Sequence, residues 1–406
     1  MQLDCGLSAR GSAVWIDRKL EDDITEAVKT RPVVLLTGIR QTGKTSLLKK
    51  LFSNVEYVTL DRINIAREAE ENPSQFLADF SKSVVIDEIQ YAPSLFREIK
   101  ILVDENRALN GKWILTGSQK FNLMQNVSES LAGRVSILNL ETLSVSELKR
   151  ASVLIDKNPL WQGCFPELWV SSINIELFFN DYIQAYLERD LRQLISIANL
   201  RDFQRFLTML ALRVGQIINF TNLARDTGVS PNTVKSWISI LETSGIIILL
   251  PPYYGNLGKR LIKAPKLYFS DNGLASSLLN IHSLEGYSGS HLSGNLWENF
   301  VFMELVKKGF RPGKDLFFYR DQNGVEIDFI AEQNSKILLI EAKENERVDE
   351  RRLNFSKVVP LFIKNETLCY VACGIEEEKI ISFRNYKLYN PLKTEFQVVR
   401  NPMQIL

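Results

Sequence analysis

Histidine and cysteine are scarce in this sequence, with two of the first and four of the second among 406 residues. His282 and His291 lie in a polar Ser/Gly-rich stretch from about His282 to Gly294. They read as linker residues rather than ligands, and the stretch itself as a mobile connector. Of the cysteines (Cys5, Cys164, Cys369 and Cys373) only the last two are close, in an apolar segment without nearby histidine. That pattern reads as reduced core thiols rather than metal ligands. No excess of one charge exists either: 49 Lys and Arg against 48 Asp and Glu give a net charge of +1. An overall nucleic-acid signature is therefore absent, and any DNA affinity rests on local patches. There is no apolar run of about 18 residues and no charged-then-apolar start, so no membrane partner is expected and the expected location is the cytoplasm.

What the chain does contain begins at Val33. VVLLTGIRQTGKTSLL, Val33 to Leu48, sets an apolar strand, a Gly-x-x-x-x-Gly-Lys-Thr loop and a helix start in succession. Gly38, Ile39, Arg40, Gln41, Thr42, Gly43, Lys44, Thr45 and Ser46 form the expected nucleotide cradle. Backbone N–H groups must turn inward around phosphate oxygens there, in conformations that Gly38 and Gly43 permit. Lys44 is placed to reach the β- and γ-phosphates and Thr45 to offer its hydroxyl to Mg²⁺, with the helix start adding a field that favours an anion. ATP and Mg²⁺ are the cofactors this predicts.

A second apolar strand, SVVIDEIQ from Ser83 to Gln90, ends in two carboxylates. Asp87 is expected on the Mg²⁺ and Glu88 as the general base that polarises the attacking water. A third strand, Lys112 to Thr116, runs into Gly117-Ser118-Gln119. Ser118 and Gln119 are candidate γ-phosphate sensors, with a plain turn as the rival reading.

Strand and helix patterns alternate from an amphipathic helix at Ile16 to Lys29 as far as about Leu140, which predicts a parallel α/β sheet. Ile173 to Leu200 reads as helical. Thr221 to Leu250 reads as helix, turn, helix, turn and strand, with Ser230 as N-cap and Pro231 at the first helical position. Val234, Trp237, Ile238 and Leu241 bury one face, leaving Asn232, Thr233, Lys235, Ser236 and Ser239 outward. With a turn at Tyr253 to Asn256 and Lys259, Arg260 and Lys263 near it, this is a winged helix-turn-helix, suited to DNA or, in the rival reading, to protein contacts alone.

The last segment predicts a hairpin, Leu316 to Arg320 and Val325 to Ala331 around Asn323-Gly324, then a strand from Lys336 to Lys343. Alternation puts Glu326 and Asp328 on one face, and likewise Glu341 and Lys343. Asp328 and Glu341 can then hold Mg²⁺ with Lys343 positioning water, and Glu298, on the helix LWENFVFMEL, can supply a further carboxylate. An exposed hairpin with ordinary ion pairs is the alternative.

The motifs TGIRQTGKT, VVIDEIQ, LTGSQKF, LAGR (Leu131 to Arg134), FPE (Phe165 to Glu167), YLERDL (Tyr186 to Leu191), KLYFSDNGL (Lys266 to Leu274), WENFVFMEL and VEIDFI followed by LIEAK span nearly the whole chain. Together they resemble a family of AAA-type ATPases of bacteria and archaea that ends in a C-terminal domain of unknown function. The resemblance implies an AAA-type core over 1–150, a helical lid or connector over 151–205, a winged helix-turn-helix over 206–270 and a PD-(D/E)xK nuclease-like α/β domain over 285–406. It also implies that Arg134 contacts the γ-phosphate, from a neighbouring subunit of a ring or in cis, a pairing with a carboxylate being the alternative. Self-association follows from the first of these. The expected function is a Mg²⁺-dependent ATP hydrolase acting on DNA in repair, recombination or defence. The alternative is an ATP-controlled switch that holds protein partners through a catalytically silent nuclease fold.

Overall fold

The computed structural model describes residues 15–117, 130–154, 157–184, 200–254, 264–362, 365–381 and 386–394. Its first unit is a parallel sheet of β1 (Val33–Thr37), β2 (Glu56–Thr59), β3 (Val84–Asp87), β4 (Trp113–Thr116) and β5 (Val135–Asn139), in the order β2-β3-β4-β1-β5. All residues of β1, β3 and β4 are buried, as continuous apolar runs covered by helices on both faces require. Helices α1 (Leu20–Thr30) and α2 (Lys44–Leu51) set Ile24, Leu47 and Leu48 against Leu36, Val85 and Ile114. On the other face α3 (Ile63–Glu71), α4 (Pro73–Ala78) and α5 (Ser94–Glu105) bring Ala69, Leu77, Phe96 and Ile99 against Val33, Leu35, Ile86 and Leu115. Parallel pairing collects the C-terminal ends of β1, β3 and β4 on one edge, where ligands meet open α/β sheets. The first helix starts at Leu20 rather than Ile16. The residues before it are held otherwise, with the Arg18 side chain bound to the Thr42 and Glu141 carbonyls.

The sheet leads into α6 (Val145–Arg150), opened by a capping box in which Ser144 and Glu147 satisfy each other's backbone N–H. In the second unit, α7 (Leu200–Ala211) packs on α8 (Phe220–Thr227) and α9 (Pro231–Thr243), followed by an antiparallel pair, β6 (Ile247–Leu250) and β7 (Lys266–Phe269). Ser230 caps α9 by accepting from the Thr233 N–H at 3.1 Å, and Gly228 ends α8 at φ 78°. Val234, Trp237, Ile238 and Leu241 are buried, Trp237 lying edge-on to Phe203 and Phe206, while Asn232, Lys235, Ser236 and Ser239 are exposed. Gly255 and Asn256 of the expected turn lie outside the described residues, which on this side end just after the half-buried Tyr253. Its ring packs on Phe317 and Phe362 of the terminal unit. The basic residues expected in the wing, Lys259, Arg260 and Lys263, lie outside the described residues, as does YLERDL.

The Ser/Gly-rich connector is not a bare linker. After α10 (Asn272–Leu278) it forms a short helix, α11 (Leu284–Gly289), because Ser283 caps the Gly286 N–H at 3.0 Å and Tyr287 is buried. His282 and His291 are exposed on it. The terminal unit then runs α12 (Ser293–Lys307), β8 (Leu316–Arg320), β9 (Glu326–Gln333), β10 (Lys336–Ala342), β11 (Glu366–Ala372), β12 (Lys379–Ile381) and β13 (Tyr386–Tyr389). The sheet order is β12-β13-β11-β10-β9-β8, antiparallel from β8 to β10 and parallel from β10 to β11. Helix α12 is largely buried, with Leu296, Trp297, Phe300, Val301 and Phe302 inside. One continuous apolar cluster joins Ile39, Phe165, Trp237, Phe302 and Ile340, so the three units share a core. Cys164, Cys369 and Cys373 are buried and unbridged. Among the described residues no helix is long and apolar enough to cross a membrane.

Candidate functional site

The loop between β1 and α2 is shaped by backbone conformations that side chains disfavour. Gly38 has φ 146°, and a Cβ there would stand 2.4 Å from the Leu140 carbonyl oxygen. Gly43 caps α2 at φ 89° with open space where its Cβ would be, and Gln41 lies at φ 62°. Left-handed residues alternating with ordinary ones turn successive N–H groups to one side, which is how an anion-binding nest is built. Thr42 is buried and steadies the turn by donating to the Ile39 carbonyl at 2.9 Å, while Ser46 is exposed on the first turn of α2.

Lys44 is buried, and its ammonium donates to the Gly38 and Ile39 carbonyls, each at 2.9 Å. Burial lowers its pKa to about 8, opposed by the nearby Glu88 and Asp87 carboxylates. Thr45 Oγ1 donates to Asp87 Oδ2 at 3.0 Å, so α2 and the end of β3 meet where the sequence places the metal ligands. The Tyr57 hydroxyl donates to the same oxygen. Burial raises the Asp87 carboxyl above its ordinary range against the pull of these two hydrogen bonds. Glu88, next along, is left-handed at φ 57° and accepts from the Gln90 side-chain amide. A non-glycine residue held there at the end of a strand is a local strain of the kind found at functional sites.

Arg134 is elsewhere. It precedes β5, whose register with β1 runs from Val33 opposite Val135 to Thr37 opposite Asn139, so it sits at the sheet edge away from the loop, about 16 Å along the strand. There it makes a two-pronged pair with Asp104, Nε to Oδ1 at 2.8 Å and Nη2 to Oδ2 at 2.7 Å. The reading in which Arg134 serves the loop of its own subunit is thereby corrected, because the strand length separates them. Ser118 and Gln119 lie outside the described residues.

The second cluster gathers around Asp328. Its Oδ2 accepts from the Ala342 N–H at 2.9 Å and from Lys343 Nζ at 3.0 Å, and Lys343 also donates to Glu341 Oε2 at 2.8 Å. Glu298 joins from α12 through Lys266, whose ammonium lies 2.9 Å from Glu298 Oε1, 2.6 Å from Glu326 Oε1 and 3.7 Å from Asp328 Oδ1. Tyr268 donates to Glu298 Oε1 at 2.6 Å. Burial pushes the Asp328 carboxyl up, but Lys343, Lys266 and the Ala342 N–H outweigh it and hold it well below the usual carboxylate range. Burial and the charge on Asp328 raise Glu341 instead, and Glu341 Oε1 is buried without a hydrogen-bond partner. Among the described residues no three His, Cys, Asp or Glu side chains are grouped to hold a metal ion, the two lysines standing between the carboxylates.

All four residues named from the terminal sequence thus enter one cluster. Lys266 and Tyr268 were missed, although they alternate along KLYF and so had to share a face. Tyr57 and Arg18 at the first site carried no motif. Glu304, the other carboxylate on α12, turns away to the Val145 N–H at 3.2 Å.

Residues 30–149 match the family described as AAA domain, residues 157–285 a domain of unknown function (DUF8612) and residues 293–379 a domain of unknown function (DUF4143). An uncharacterized protein of Mycobacterium tuberculosis is 31% identical over 366 residues, covering 89% of this chain and 82% of that protein. An uncharacterized protein of Methanocaldococcus jannaschii is 24% identical, covering 82% and 79%. Among solved structures, the Walker-type ATPase of Pyrococcus abyssi aligns with a TM-score of 0.45 at 17% identity, covering 65% of this chain and 96% of that one. With its AAA domain on the five-stranded parallel sheet, the chain belongs to the AAA-type ATPase family.

Proposed function

We infer that the protein is a Mg²⁺-dependent ATP hydrolase that acts on DNA through a winged-helix unit and a nuclease-like domain. The observation that carries the first half is the meeting of Lys44, Thr45 and Asp87 at the mouth of a left-handed backbone loop. Hydroxyl and carboxylate oxygens are the donors Mg²⁺ takes, so Thr45 and Asp87 fit that ion, and the loop from Gly38 to Ser46 fits a triphosphate. When bound, Mg²⁺ neutralises charge on the β- and γ-phosphates. Lys44 offsets γ-phosphate charge, and Glu88 orients and deprotonates the attacking water. Arg134, out of reach of its own loop, is read as serving a neighbouring subunit's nucleotide, which makes self-association part of the reading.

The second half is supported by order and chemistry together. The helix, three antiparallel strands and parallel fourth strand from α12 to β11 follow the order of a PD-(D/E)xK fold, and Asp328 on β9 stands beside Glu341 on β10 and Lys343 just after it. The unpartnered Glu341 Oε1 beside Asp328 fits a divalent cation bound by oxygen. In the α8–α9 unit, a polar exposed face on α9 over a buried Trp237 face supports a role in grasping a nucleic-acid groove. A second reading, a nucleotide-driven switch with a silent nuclease fold, is favoured by the lysines that occupy the carboxylate cluster. Steady-state ATP hydrolysis with single-stranded, duplex and branched DNA, with the DNA then run on a gel, separates the two. Stimulation by one DNA form supports action on DNA, and nicks lost in Asp328→Ala add cleavage. A rate indifferent to every DNA, with intact strands, supports the switch.

A further inference from the structure

Lys266 belongs by sequence to the middle unit, at the start of β7, yet its ammonium is buried in the carboxylate cluster of the terminal unit. Its side chain is 3% exposed and within 4 Å of three carboxylates: Glu298 on α12, and Glu326 and Asp328 on β9. Lys343 takes the opposite flank, on Asp328 Oδ2 and Glu341 Oε2. The four carboxylates are thus shared by two ammonium groups, one native to the terminal unit and one delivered from outside it. Arg320 reaches the cluster only at Glu326 Oε2, at 3.4 Å, from a half-exposed position. Buried ions persist only when paired, and Lys266 is paired on three sides, by Glu298, Glu326 and Asp328.

We propose that Lys266 is a built-in counter-cation that competes with a divalent metal ion for the Asp328 side of this cluster, so that metal loading depends on the position of β7. This rests on the reading of Asp328 and Glu341 as a cation site. Two positive charges a few ångströms apart repel strongly in a partly dry site, so the metal and Lys266 cannot both be seated at full strength on Glu298 and Asp328. Strand β7 is also linked to the ATPase side of the molecule. Its partner β6 follows Gly245, whose Cβ position lies 3.1 Å from the Ile39 side chain in the nucleotide loop. A rearrangement of that loop is therefore felt next to the β6–β7 pair, and withdrawal of Lys266 is the means by which the second site is opened.

The test is Mn²⁺ titrated into the nucleotide-free full chain, with free Mn²⁺ read by electron paramagnetic resonance, for wild type, Lys266→Met, Lys266→Arg and Asp328→Asn. Lys266→Met is expected to bind at least about tenfold more tightly, Lys266→Arg within about threefold of wild type, and Asp328→Asn to lose the site. Unchanged or weaker binding in Lys266→Met, with Asp328→Asn still abolishing it, overturns the counter-cation and leaves the cation site standing. A stoichiometry of bound Mn²⁺ that Asp328→Asn leaves unchanged, or no bound Mn²⁺ in any of the proteins, overturns both. Should Lys266→Met fail to fold, amine acetylation of wild type read by mass spectrometry replaces it. Modification of Lys266 rising with Mn²⁺ supports displacement, and modification indifferent to Mn²⁺ overturns it.

Discussion

Arg18 and Glu147, 129 residues apart in sequence, meet in the interior with Nε 3.1 Å from Oε1 and side chains 7% and 5% exposed. The same guanidinium donates to the carbonyls of Thr42, at 2.9 Å, and Glu141, at 2.6 Å, so it ties the nucleotide loop to the segment after β5. Glu147 in turn completes the capping box of α6, next to the Val145 N–H that Glu304 of α12 accepts. Lys307, one turn on, donates to the Leu143 carbonyl at 2.8 Å. A chain of polar contacts therefore runs from the loop to the terminal unit.

Arg18→Ala should cost about 3–5 kcal/mol in denaturant unfolding, because it strands a buried carboxylate rather than merely deleting a pair. The pH dependence carries a sign. Burial raises the Glu147 pKa, but Arg18 and the Ser144 and Lys19 N–H groups outweigh it, so the folded value is lowered. The stability this gives is complete above the unfolded carboxyl value, about 4.3, and drains away as pH falls through the lower folded value. In Arg18→Ala that acid limb should flatten. An acid limb as steep as in wild type would assign it to other carboxylates.

The Lys44 ammonium predicts how nucleotide affinity responds to pH. Buried among carbonyls, it has a pKa of about 8, and phosphate oxygens in the loop would raise it. Below about pH 8 Lys44 is already charged. Above it, binding must take up a proton, so ATP affinity should fall as pH rises past 8. Calorimetry in buffers of different ionisation enthalpy would register the uptake, and Lys44→Ala should lose both the proton and tight binding.

How much of this was legible in the sequence depends on whether the partners are neighbours in the chain. Gly38 to Ser46 is a contiguous loop, and Val234, Trp237, Ile238 and Leu241 repeat at helical spacing, so backbone geometry alone assembles both. Asp328, Glu341 and Lys343 needed only strand alternation and a hairpin turn, whose Gly324 does lie at φ 80°. The Arg18 contacts span up to 129 residues of chain and the Lys266 contacts join separate units, and no local period marks which lysine or arginine turns inward. The connector misled for a related reason: Ser and Gly suggest flexibility, but Tyr287 finds a buried site and Ser283 a free N–H to cap.

Glu88→Gln should keep nucleotide binding while slowing hydrolysis by about 10²–10⁴-fold, the range a positioned general base supplies. The amide is nearly isosteric and its oxygen can still accept from the Gln90 side chain, while the charge it removes is one that acts on Lys44. Parallel binding and turnover measurements decide the assignment. Equal loss of binding in Glu88→Gln and Lys44→Ala would show that Glu88 shapes the loop instead of activating water.

The place of Arg134 yields a prediction about assembly. Held by Asp104 at the sheet edge opposite the loop, it can complete a nucleotide site only in another copy of the chain. Arg134→Ala should then bind ATP normally and hydrolyse it slowly, with a loss of about 10³-fold or more if the residue acts as an arginine finger. Mixing is the sharper measurement. Lys44→Ala has a dead loop but an intact Arg134, and Arg134→Ala has the reverse, so a mixture should regain hydrolysis that neither shows alone. The regain should grow with total protein concentration as mixed interfaces form. A mixture no more active than its parts, with Arg134→Ala itself as fast as wild type, would leave Arg134 as a surface ion pair with Asp104 and nothing more.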